Sequence, residues 1–139
     1  MAQLVLAAGL EGFVAVDSAG TGAYHAGEPP DRRSADAAQT RGVTLQGAAR
    51  QFEATDFERF DHVVAMDTEN LSALEALSEN DVHRSKLTLL RDFDATCLPG
   101  SDVPDPYYGG EGGFDAVFEI CEAACRGLLV QLRERHRLP

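Results

Sequence analysis

The run His62-Val63-Val64-Ala65-Met66 is apolar at every position after its histidine and leads directly into Asp67 and a helical pattern. A strand with one wet face alternates apolar and polar residues, whereas a strand covered on both faces does not. This run therefore reads as a buried strand with a layer above and a layer below, as in a parallel sheet. Residues 68–77 follow as a helix, with Asp67 or Thr68 as the cap, Glu69 in the first turn, and Leu71, Leu74 and Leu77 at helical spacing. Residues 86–90 form another strand candidate. Strands alternating with helices imply α/β layers around a mostly parallel sheet.

The flanking segments fit that scheme. Residues 1–10 are apolar and helix-permissive, with no cap ahead of them and Gly12 behind. Residues 13–18, Phe-Val-Ala-Val-Asp-Ser, read as a short strand bounded by Gly20 and Gly22. After Pro29-Pro30, Asp31 or Ser34 can cap a helix that ends near Gly42. Residues 53–60 read as a short helix with Thr55 as cap, and the acidic run to Asp61 as its solvated face. From Phe114 to about Arg137, the residues Phe114, Val117, Phe118, Cys121, Cys125, Leu128 and Leu132 recur at steps of three and four, the signature of an amphipathic helix.

At 139 residues with 44% hydrophobic content, the chain can build one core, and a single domain over residues 1–139 is expected. Twelve basic against 23 acidic residues give 12 − 23 = −11, which opposes binding to phosphate backbones or anionic lipid. No stretch reaches the roughly 20 apolar residues of a membrane helix, and the start lacks a signal-peptide pattern, so a cytoplasmic location is expected. Three cysteines, Cys97, Cys121 and Cys125, suit a reducing compartment. Cys121 and Cys125 fall on the apolar face of the last helix and read as core; Cys97, before Pro99, reads as the accessible one. The histidines His25, His62, His83 and His136 are scattered, with no metal-ligand spacing, and no metal or cofactor is expected.

The segment Asp105-Pro106-Tyr107-Tyr108-Gly109-Gly110 combines an acid on a proline-stiffened loop with two aromatic rings and permissive glycines. Such an acid suits protonation of an aryl-oxygen leaving group beside an aromatic wall. With it, in order, come 16–24 (Val-Asp-Ser-Ala-Gly-Thr-Gly-Ala-Tyr), Gly27-Glu28-Pro29-Pro30-Asp31, Ala49-Arg50-Gln51, and Met66-Asp67 with Asn70-Leu71. In these motifs the chain resembles the low molecular weight protein tyrosine phosphatases, which share a fold with related arsenate reductases.

That resemblance implies a three-layer α/β sandwich around a short parallel sheet, of the phosphotyrosine phosphatase I type. It implies hydrolysis of phosphotyrosine in proteins, or of small aryl phosphates, through a phosphocysteine intermediate. Asp105 would be the general acid and base. Tyr24, Tyr107 and Tyr108 would wall the phosphotyrosine ring, and Ser18 would support the phosphate cradle. The family's nucleophile lies in a loop of pattern C-x-x-x-x-x-R-S, usually followed by Pro-Met-Ala-Glu, and this chain starts Met1-Ala2-Gln3. The expectation is a domain truncated at its N-terminus, lacking the central first strand and that loop, and inactive as it stands. The alternatives are a non-catalytic binding or regulatory relative, or an arsenate reductase-like protein in which Cys97 would be the loop thiol.

Overall fold

The computed structural model describes residues 1–106 and 113–139. Along the chain come α1 (Ala2–Ala7), α2 (Arg32–Thr40), α3 (Asp56–Arg59), β1 (Val63–Ala65), α4 (Thr68–Leu77), α5 (Asp81–Ser85), β2 (Leu87–Leu89), a 3-10 turn at Leu90–Phe93, and α6 (Gly113–His136). β1 and β2 are parallel, with Val63 opposite Leu87, Val64 opposite Thr88 and Ala65 opposite Leu89. The connection between them passes through α4 and α5, because parallel neighbours need a crossover.

Three-residue strands carry both halves of the core, since successive side chains on a strand point to opposite faces. Val63, Ala65 and Leu89 join Phe57 and Leu74 in one buried cluster, with Phe52, Leu71 and Leu87 packed on it. Val64 points the other way and packs on Leu90, Val103, Ala124, Cys125, Leu128 and Leu132, together with Leu4 of α1. The sheet thus lies between α3 and α4 on one face and α1 and α6 on the other. The alternation explains why the strand is apolar throughout.

The helix signals are met largely as expected. Asp31 accepts a hydrogen bond from the Arg33 N–H, and Asp67 accepts one from Asn70, so both act as caps. Gly42, at φ +75°, ends α2. The helix at residues 53–60 is shorter than expected: Thr55 makes no side-chain cap bond, and the Asp56 carboxylate instead accepts from the Glu53 N–H. α5 and the 3-10 turn have no counterpart in the sequence reading.

Two expectations are corrected. α1 ends at Gly9, not Gly12: Gly9 has φ +67°, and Leu10 N–H returns to the Val5 carbonyl at 3.0 Å, a left-handed closure that buries Leu10. Residues 13–18 form no strand. A strand is defined by its ladder, and among the described residues this segment has no strand partner; the only bridge nearby joins Gly20 to Gln51. Phe13 and Val16 are accordingly exposed.

α6 docks on the 3-10 turn at close range. A Cβ on Gly127 would lie 1.9 Å from the Phe93 carbonyl oxygen, so the approach requires glycine. α2 is held to α6 by Arg41, whose guanidinium donates to Asp115 at 2.7 Å and Glu119 at 3.3 Å and lies over the Phe118 ring.

Candidate active site

The segment 17–21 and β1 face each other across a cavity of about 330 Å³. Ser18, Gly20 and Thr21 line one side, Val63–Ala65 and Met66 the other, and His62, Arg50 and Asn70 also contribute to the lining. A second cavity, of about 410 Å³, shares Gly20, Thr21, Arg50 and Asn70 and continues past Tyr24 and His25. The two therefore adjoin. The first runs the whole length of β1, from Phe60 and His62 to Met66, so it includes the C-terminal strand end where open α/β sheets place ligands.

Main-chain bonds build this wall. Gly20 N–H donates to the Arg50 carbonyl and Phe52 N–H to the Gly20 carbonyl, both at 2.8 Å. Gly27 N–H reaches the Ala49 carbonyl, and Ala49 N–H the Glu28 carbonyl. The loop carrying Ser18 and Tyr24 is thereby laced to residues 49–52. Ser18 is exposed and its N–H donates to the Asp17 carboxylate, while Tyr24 stands 95% exposed over the second cavity.

Arg50 fixes the floor. Its guanidinium donates to Asp17 at 3.1 Å and to Asp56 at 2.9 Å, and Arg59 approaches Asp56 from the other side at 3.3 Å. The hydrogen bond from Arg50 holds the Asp56 carboxyl below the usual carboxylate range, helped by the Glu53 N–H and the charge of Arg59, against a burial that pushes the other way. The same pairing raises the Arg50 guanidinium. Asp56 is one of only two buried charged or polar residues among those described, so the acidic run 53–61 is not simply a solvated face.

The acid segment is tied to the end of β1. Val103 N–H donates to the Met66 carbonyl at 2.8 Å, and Val103 is buried in the α6 core. The Asp102 carboxylate accepts from the Thr68 N–H at 2.8 Å, at the start of α4, and the Arg91 guanidinium donates to the Asp102 carbonyl. Asp105, exposed, stands two residues beyond Val103. Tyr107, Tyr108, Gly109 and Gly110 lie outside the described residues.

Of the expected site residues, then, Ser18 and Tyr24 line the adjoining cavities, and Asp105 follows a segment anchored to Met66, itself a cavity residue. The residues that hold this arrangement, Arg50, Asp56 and Asp102, are not among the site residues that the sequence pattern singles out. Arg50 lies in the Ala-Arg-Gln motif quoted there, and an arginine beside an acidic run was the available signal. Of the histidines, which read as surface or satisfied structural groups, His83 is of the second kind. His83 is buried, stacked on Phe57, with Nδ1 accepting from the Glu79 N–H and Nε2 at 2.5 Å from Glu58. That geometry places the neutral ring's proton on Nε2. His62 and His136 are brought together.

Cys97 is half-buried rather than open, with the Arg91 guanidinium 3.0 Å from its sulfur. Cys121 is half-buried as well, and burial pushes its thiol up, with Cys125 adding to the rise. Cys125 is core.

A family model described as "Low molecular weight phosphotyrosine protein phosphatase" matches residues 1–138. A low molecular weight protein-tyrosine-phosphatase of Streptomyces coelicolor is 46% identical over 129 residues, covering 92% of this chain and 79% of that protein. Among solved structures, a protein tyrosine phosphatase from Entamoeba histolytica superposes with a TM-score of 0.89 at 34% identity, over 96% of this chain and 85% of that one. YfkJ from Bacillus subtilis gives 0.86 at 33% identity, over 96% and 82%.

Proposed function

The chain belongs to the low molecular weight phosphotyrosine protein phosphatase family, and on that premise we propose that Asp105 is its general acid and base. In the family reaction Asp105 protonates the leaving phenolate oxygen as a cysteine thiolate takes the phosphoryl group. It then removes a proton from the water that releases phosphate from the phosphocysteine. Tyr24, Tyr107 and Tyr108 wall the aromatic ring, and Ser18 supports the anion cradle. The observation that carries this reading is the tether of the acid segment: Val103 to Met66 and Asp102 to Thr68 bring the approach to Asp105 to the same strand end that Ser18 and Asn70 border.

The nucleophile is a separate matter. None of Cys97, Cys121 and Cys125 is followed six residues on by arginine, so these 139 residues contain no C-x-x-x-x-x-R-S. By itself the 139-residue chain lacks the covalent step and most of the electrostatic stabilisation of the transition state. It is therefore expected to hydrolyse p-nitrophenyl phosphate no faster than buffer. Turnover that Asp105→Asn abolishes would sink this reading, since it would require a nucleophile elsewhere in these residues.

A further inference from the structure

His62 precedes β1 and His136 closes α6, yet their Nε2 atoms are 2.9 Å apart, with the ring planes at 89° and the centroids at 5.2 Å. In the neutral pair one Nε2 carries a proton and donates it, and the other accepts through its lone pair. Two imidazole nitrogens set this closely are also spaced as adjacent ligands of one metal ion. Ligands at a right angle, each roughly 2.1 Å from the ion, stand about 3.0 Å apart, whereas tetrahedral ligands stand about 3.4 Å apart. The observed separation matches the right-angle case.

We propose that His62 and His136 form a binding site for a divalent transition-metal ion of octahedral or tetragonal preference, such as Ni²⁺ or Cu²⁺, with water completing its coordination. Both Nε2 lone pairs become available to the ion when the donor ring's proton passes by solvent exchange to its own Nδ1, with a small rotation of the exposed His136 ring. Asp61 beside His62 and the net charge of −11 favour a cation here; Arg135 opposes it. Among the described residues no group of three or more His, Cys, Asp or Glu is placed to hold a metal, so the two imidazoles are the whole donor set and the affinity is moderate. The other two histidines offer no such pair: His25 bonds Glu28, and both His83 nitrogens are engaged. His62 also lines the first cavity, at the end of β1 opposite Met66 and roughly 13 Å at strand rise from the point where the acid segment is tied.

Calorimetric titration of the 139-residue chain with Ni²⁺, at about pH 7.5 where imidazole is neutral, tests the site. One ion per chain is expected. His136→Ala should weaken binding about tenfold or more, and His25→Ala should leave it unchanged. A thermal scan supplies the second readout: Ni²⁺ should raise the unfolding midpoint of the parent chain by tying α6 to β1, reversibly with a chelator, and should not raise that of His136→Ala. Because His136 is exposed, that variant retains its fold. Equal binding by parent and His136→Ala, or equal loss in His25→Ala, overturns the proposal.

Discussion

The Asp56 side chain is 2% exposed and is met by Arg50 at 2.9 Å, Arg59 at 3.3 Å and the Glu53 N–H at 2.9 Å. Removing Arg50 takes away the partner that holds this buried carboxylate most strongly and leaves it to Arg59 and the Glu53 N–H. Arg50→Met is expected to lower the unfolding free energy at neutral pH by about 2 kcal/mol, measured by urea titration. The pH dependence has a definite sign. Asp56 has a lower pKa folded than unfolded, so its contribution is complete above the unfolded value of about 3.9 and is lost as pH falls through the folded one. The deficit of Arg50→Met should therefore shrink below about pH 4. A deficit that stays constant into acid would assign the loss to packing of the arginine stem. None of this could be read from composition, because an Asp in an acidic run is ordinarily solvated and only the fold brings residues 17, 50 and 56 together.

For the elements, α6 shows what a pattern gives and withholds. Its apolar spacing announced the helix and placed Cys125, Leu128 and Leu132 in the core, where they are found. Gly127, in the middle of that helix, was silent: helix propensity alone would favour alanine there by about 1 kcal/mol. Contact with the Phe93 carbonyl reverses the preference, and Gly127→Ala is expected to destabilise by about 2 kcal/mol, read as a lowered urea midpoint. A neutral or stabilised variant would mean that α6 can shift off the 3-10 turn. The capped helices α2 and α4 were legible because a cap is a local bond between near neighbours in sequence. Residues 13–18 were misread because their apolar, β-branched content states a preference, while a strand needs a partner that local sequence does not supply.

Across the whole molecule, β1 serves both cores with three residues, and that shared strand is why the α/β reading could be drawn from five letters around Val64. The site was legible to a lesser degree: Ser18, Tyr24 and Asp105 follow from motif order, whereas the Arg50 floor and the Asp102 tether depend on tertiary approach. Net charge acts at this scale too. With −11 distributed over a small domain, self-repulsion opposes compactness, and added NaCl should raise the thermal midpoint as screening shortens toward about 8 Å at physiological strength. A midpoint that falls with salt would show that pairs such as Arg50 with Asp56 outweigh the net repulsion. The tether has a consequence for sequence drift. At the strand end it uses the Met66 carbonyl and the Thr68 N–H, groups that nearly every residue possesses, with only a long 3.4 Å bond from the Thr68 hydroxyl to the Asp102 carboxylate added, so the Met66 side chain can vary while the acid segment keeps its place. The intolerant positions are on the segment's own side: proline at 103 would delete the donor, and loss of the Asp102 carboxylate would release the start of α4. Mutational tolerance should therefore be lopsided, permissive at residue 66 and strict at residues 102 and 103, which reach for it.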